Sequence, residues 1–126
     1  MITRKHFKIA FFIASMVVLF SALIQSGLSV LDFRHGDKVG HFIVFFILSF
    51  LLNRASSSYK KRIRNVVALL AFGIFIEILQ SFTTYRSPSF WDIVADFLGI
   101  LTFQFMLSLY RAYHQYFKTL YQNYFD

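Results

Sequence analysis

The sequence predicts an all-α polytopic membrane protein: a four-helix bundle with N- and C-termini in the cytoplasm and a short interfacial helix at the C-terminus. Three observations carry this expectation. Of the 126 residues, 57% are hydrophobic and 21% aromatic, more than one domain of this length can hide from water. Charged residues make up 15% of the chain, against about 25% in ordinary soluble domains, and they stand in blocks between long apolar runs. The basic residues also gather on alternate connections, as expected of a chain threaded back and forth across a bilayer.

The first helix is expected over residues 7–31, behind the basic start Arg4-Lys5-His6-Phe7-Lys8. A secretory signal has an apolar stretch of roughly 7 to 15 residues ending at a small-residue cleavage site. This run is long enough to cross about 30 Å of hydrocarbon, so it reads as an uncleaved transmembrane helix. The second, 37–53, is barely long enough, which places its polar start, Asp37 to His41, at the outer interface or just inside it. The polar, basic stretch from Ala55 to Arg64 is expected as a loop leading to the third helix, 65–84. Ser87-Pro88-Ser89 marks a turn, and Ser89 with Asp92 three residues on resembles a capping box opening the fourth helix, 90–109. In the tail, 110–126, Tyr110, Tyr113, Phe117, Tyr121 and Tyr124 recur at helical spacing among Arg111, His114 and Lys118, which predicts an aromatic helix lying in the interface. All of this is one transmembrane domain, 1–126.

Orientation follows from the basic residues, because cytoplasmic loops retain Lys and Arg. With the N-terminus inside, ten of the thirteen (Arg4, Lys5, Lys8, Arg54, Lys60, Lys61, Arg62, Arg64, Arg111 and Lys118) are cytoplasmic, and only Arg34, Lys38 and Arg86 face outward. Five of the six acidic residues, Asp32, Asp37, Glu77, Asp92 and Asp96, fall on the outer side. The net charge of +7 has no basic helix or groove motif behind it, so nucleic acid is not an expected partner and membrane lipids are. The absence of cysteine excludes disulfides, thiolate metal sites and a Cys nucleophile.

An ionisable group inside a membrane costs about 2.5–3.5 kcal/mol on insertion scales, so each needs a partner or a purpose. Glu77 is expected roughly 10 Å below the outer end of helix three and Asp96 at a similar depth on helix four. Asp37 with His41 and Asp92 with Asp96 are four apart, and Glu77 with Gln80 three apart, so each pair shares one helix face. Asp37, Lys38, His41, Glu77, Gln80, Arg86, Asp92 and Asp96 are therefore expected at one end of the bundle as a binding site. The plainer readings are that Asp92 caps its helix, that Lys38 and Arg86 snorkel to the headgroups, and that His41 is a hydrogen-bonded packing residue. Glu77 and Asp96 resist them, since two carboxylates at one depth repel unless a cation or shared proton lies between them.

Three strings carry a resemblance: Asp37-Lys38-Val39-Gly40-His41-Phe42; Gly73-Ile74-Phe75-Ile76-Glu77-Ile78-Leu79-Gln80; and Asp92-Ile93-Val94-Ala95-Asp96-Phe97-Leu98-Gly99, the last preceded by Arg86. In this order and spacing the chain resembles the VanZ-like family of small bacterial membrane proteins. The resemblance implies a multi-pass protein of the bacterial cytoplasmic (inner) membrane with a role in the cell envelope, linked to resistance to teicoplanin-type glycopeptide antibiotics. Asp96 departs from the pattern, which leads one to expect Asn. It keeps an oxygen acceptor and adds a charge, which favours a nearby cation or proton.

Three functions are open at this point. In the first, Lys38 and Arg86 hold an anionic lipid-linked or peptidoglycan-related headgroup with hydrogen bonds from His41 and Gln80, while Glu77, Asp92 and Asp96 position those groups. The second is a membrane hydrolase in which His41, Glu77, Asp92 and Asp96 bind a divalent cation that activates water, with His41, Glu77 and Asp96 as the catalytic candidates. No metal motif such as His-Glu-x-x-His is present, so no cofactor is expected outright, and no nucleophile-elbow sequence surrounds Ser87 or Ser89. The third is a proton- or ion-coupled carrier in which Glu77 and Asp96 share a proton; with four helices per chain it would require a homo-oligomer.

Overall fold

The computed structural model describes residues 1–23, 37–56, 59–82 and 90–125. Within them lie four α-helices: α1 (Arg4–Leu23), α2 (Asp37–Ala55), α3 (Arg62–Ser81) and α4 (Phe90–Phe125). A single 3₁₀ turn, Tyr59–Lys61, leads into α3. All four helices are long and apolar enough to cross a membrane. Their apolar side chains are distributed as lipid requires: Phe12, Val17 and Phe20 of α1, Ile78 of α3 and Phe105 of α4 face outward, while Phe45, Leu48, Leu69, Ile76 and Ile100 fill the centre.

Helix α2 is the hub, packing against each of the other three, most extensively against α4. Helix α1 packs on α2 and α3, away from α4, and Ala22 is its one fully buried residue. Edge-to-face pairs of Phe103 with Phe46 and Phe50, and of Phe7 with Phe50, link α4, α2 and α1.

The helix bounds differ from expectation most at the start of α3 and at the tail. Arg62 and Arg64, expected in the loop, lie in the first turn of α3. Arg62 can enter the helix because its guanidinium is satisfied by α4: it donates to the Gln104 side chain, to the Gln104 carbonyl and, at 2.6 Å, to Ser108 Oγ. The first helix is described only to Leu23, so the stretch 24–31 lies outside the described residues. The largest difference is the tail. It is helical as expected, but instead of a separate interfacial helix it continues α4, which runs 36 residues without a break. No Gly or Pro follows Gly99 to interrupt it, and at 1.5 Å per residue the helix is about 54 Å long, nearly twice the hydrocarbon thickness.

The up-and-down order sorts the charges. At one end, the start of α1, the end of α2 and the start of α3 come together: the Arg54 guanidinium lies 5.1 Å from the centre of the Phe7 ring, and Asn65 Nδ2 donates to Ser56 Oγ at 2.8 Å. At the other, the Gln80 amide donates to the Ala22 carbonyl at 3.1 Å, tying the end of α3 to that of α1. The start of α4 lies at this second end.

Candidate functional site

At that second end, side chains from α2, α3 and α4 converge. His41, one turn into α2, is buried between two carboxylates of α4: its Nδ1 is 2.7 Å from Asp96 Oδ1, and its Nε2 is 3.8 Å from Asp92 Oδ2. Asp92 and Asp96 reach the same imidazole because four residues is about one helical turn. A carboxylate on Nδ1 favours the proton on that nitrogen, which leaves the Nε2 lone pair, on the Asp92 side, for a cation or a further proton. Glu77, on α3, completes the group: one ligand atom each from His41, Glu77 and Asp92 lie within 4.8 Å of one another. All three residues are buried, and Asp96, behind the histidine, is 1% exposed.

Two glycines allow this approach. A Cβ on Gly73 would stand 2.7 Å from Asp96 Oδ2, so the face of α3 one turn before Glu77 is open for the aspartate of α4. A Cβ on Gly99 would stand 2.3 Å from the backbone oxygen of Phe42, the residue next to His41, so α2 and α4 touch backbone to backbone there. Both lie in the strings that carry the family resemblance, but reading the ionisable residues alone gave them no role. Their signal is spacing: Gly73 precedes Glu77 by four residues and Gly99 follows Asp96 by three, so each shares a face with the acid it serves.

Of the eight residues expected here, five come together: Lys38, His41, Glu77, Asp92 and Asp96. Lys38 stands at the rim, its side chain 56% exposed and its Nζ 3.5 Å from Asp92 Oδ1. Gln80 is buried on the Glu77 face, but its amide is turned to α1 through Ala22. Asp37 begins α2, and its side chain lies outside the described residues, as does Arg86.

Chemically, three carboxylates around one imidazole demand positive charge or protons among them. Lys38 supplies one cation from the rim. A metal ion with bonds of about 2.0–2.6 Å spans up to roughly 5 Å between opposite ligands, so His41, Glu77 and Asp92 are spaced as the oxygen and imidazole ligands of a divalent cation.

Fold and site together define a polytopic α-helical membrane protein whose ionisable groups are buried inside the bundle, contributed by three helices at one end. Such a chain is expected to share its pattern over nearly its whole length, and it does: it belongs to the VanZ/LLP1 family, whose model matches residues 2–111. An uncharacterized protein of Schizosaccharomyces pombe is 39% identical to it over 67 residues, which is 50% of this chain and 41% of that protein. The chain thus covers well under half of that relative's length. No solved structure matches.

Proposed function

We propose that the acidic end is a divalent-cation site through which the protein binds an anionic, phosphate-bearing lipid-linked or cell-wall component at the outer leaflet. The observation that carries this reading is the convergence of His41, Glu77 and Asp92 ligand atoms within 4.8 Å, with Asp96 fixing the imidazole from behind. A cation held there would supply positive charge to the phosphate oxygens, and Lys38 adds charge at the rim. The cation is also positioned to lower the pKa of a bound water, which makes hydrolysis the chemistry to test once binding is established.

The orientation belongs to the same proposal. The end with Arg4, Lys8, Arg54, Lys61 and Arg64 is cytoplasmic by the retention of basic residues, so both termini are inside and the acidic cluster opens outward. In a bacterial host the protein then sits in the cytoplasmic membrane, facing the compartment where glycopeptide antibiotics of the teicoplanin type act, and it contributes to resistance by engaging their envelope target. A carrier reading is supported by one feature, the buried His41–Asp96 pair at 2.7 Å, which can hold a proton within the membrane.

Metal analysis of the purified full chain tests the leading reading. One divalent cation per chain is expected, retained on gel filtration without added metal and absent from His41→Ala. A wild-type protein that is folded yet takes up no divalent cation, together with proton flux in vesicles that His41→Ala stops, would replace the leading reading with the carrier.

A further inference from the structure

The opposite, basic end holds a second built feature that the acidic cluster does not use. A cavity of about 300 Å³ opens between the start of α1 and the start of α3, with Arg4, Lys8, Lys61 and Arg64 around it and no acidic residue among the described residues that line it. Ser56 forms part of its wall and is fixed there: its hydroxyl donates to the Leu52 carbonyl at 2.8 Å and accepts from Asn65 Nδ2, also at 2.8 Å. Asn65 in turn accepts from Arg64 at 3.2 Å and is 4% exposed, so one basic side chain is positioned by a buried polar relay. Helices α1 and α3 both begin here, and helix N-termini carry partial positive charge.

Immediately next to this cavity lies another of opposite character. It measures about 360 Å³ and runs along α3 past Ala68, Leu69 and Phe72, sharing Phe11, Leu52 and Arg64 with the basic one. From Arg64 to Phe72 is about 12 Å of helix, measured into the bundle from its basic end. A basic cup that continues into an apolar groove between two membrane-spanning helices matches an amphiphile whose anionic head and hydrocarbon chain are joined.

From this pairing we infer that the basic end binds one anionic phospholipid, its phosphate among Arg4, Lys8, Lys61 and Arg64 and the upper part of an acyl chain in the groove between α1 and α3. The source is a lipid and not free phosphate because the apolar groove adjoins the charged cup and shares its walls. This site is separate from the acidic end and does not depend on what that end binds.

Lipid binding to the detergent-purified full chain tests the inference, with native mass spectrometry and thermal unfolding as readouts. Phosphatidylglycerol added to mixed micelles is expected to bind at one per chain and to raise the unfolding temperature; phosphatidylcholine and inorganic phosphate are expected to do neither. Lys61→Gln with Arg64→Gln should weaken phosphatidylglycerol binding roughly thirtyfold, about tenfold or less per charge removed. Arg4→Gln with Lys8→Gln, on the peripheral α1, provides an independent variant, and Ala68→Trp, which fills the groove, should weaken the lipid while leaving helicity intact. Inorganic phosphate binding as well as the lipid, or an unaltered lipid affinity in both charge pairs, would overturn the proposal.

Discussion

At the acidic end of the bundle His41, Glu77, Asp92 and Asp96 are buried and face one another from three helices, whereas at the basic end Arg4, Lys8 and Arg64 stay exposed around the mouth of a cavity. The difference is one of side-chain length. Asp has too short a stem to reach the headgroups from within a helix, so it is tolerated only where opposing groups meet it inside the bundle. Arg and Lys carry three or four methylenes and bring their charge to the interface from almost any position on the last turns. Geometry at the acidic end is therefore set by how closely the backbones approach, and at the basic end by individual side chains, so substitutions should differ in size between the two.

The largest effect is expected at Gly99. A Cβ there would fall 2.3 Å from the Phe42 carbonyl oxygen, and backbone cannot swing aside as a side chain does. Gly99→Ala should cost about 3 kcal/mol or more by forcing α2 from α4, read as the unfolding midpoint in detergent and denaturant. A shift within about 0.5 kcal/mol would show that the acidic end is not held by backbone contact. Gly73→Ala is gentler, about 1–2 kcal/mol, because the atom it meets at 2.7 Å is the end of the Asp96 side chain, which can move at the cost of its bond to His41.

Next in size comes Asp96→Asn, which leaves shape intact. The amide fits the same space but no longer offers a charge to Nδ1 of His41. Cation affinity is expected to fall 10–100-fold, measured by competition with a chelating dye, while the unfolding midpoint moves little. If affinity and stability fell together, Asp96 would be a packing residue and not a support for the histidine.

How much of this was legible follows the same division. The four spans were readable because bilayer thickness imposes a length on every apolar run, and the meeting of His41, Glu77, Asp92 and Asp96 because turn spacing and depth fix where each lies. Less was legible where tertiary contact decides. Nothing in Lys60-Lys61-Arg62-Ile63-Arg64 says that Arg62 is helical; that depends on Gln104 and Ser108, more than forty residues away. Spacing puts Gln80 on the Glu77 face, yet its amide serves α1, a partner that sequence spacing within α3 does not reveal. The aromatic residues of the tail suit an interface and so suggest a separate element, while the continuity of a helix without Gly or Pro is the stronger local fact.

At the basic end, effects should be smaller. Arg62→Gln removes hydrogen bonds to the Gln104 side chain, to its carbonyl and to Ser108; the exposed Ser108 is rehydrated, and although Gln104 is buried, no helix is pushed away from its neighbour. About 1–1.5 kcal/mol is expected from unfolding measurements, less than for Gly99→Ala.

The smallest effect is expected where neither kind of support exists. Beyond Arg111 the side chains of α4 are exposed through Phe125 apart from the half-buried Leu120, and the family match stops at Arg111. Ending the chain at Ala112 removes about 20 Å of helix that packs on nothing described in this chain. The midpoint of unfolding should move by less than about 0.5 kcal/mol, and cation uptake at the acidic end should be unaltered, because every contact that holds His41, Glu77 and Asp96 lies on the near side of the cut. A larger loss would mean that Tyr113, Tyr116, Phe117 and Tyr121 are covered by a second copy or by lipid in the membrane, and chemical crosslinking of the full-length and shortened chains would separate those two coverings.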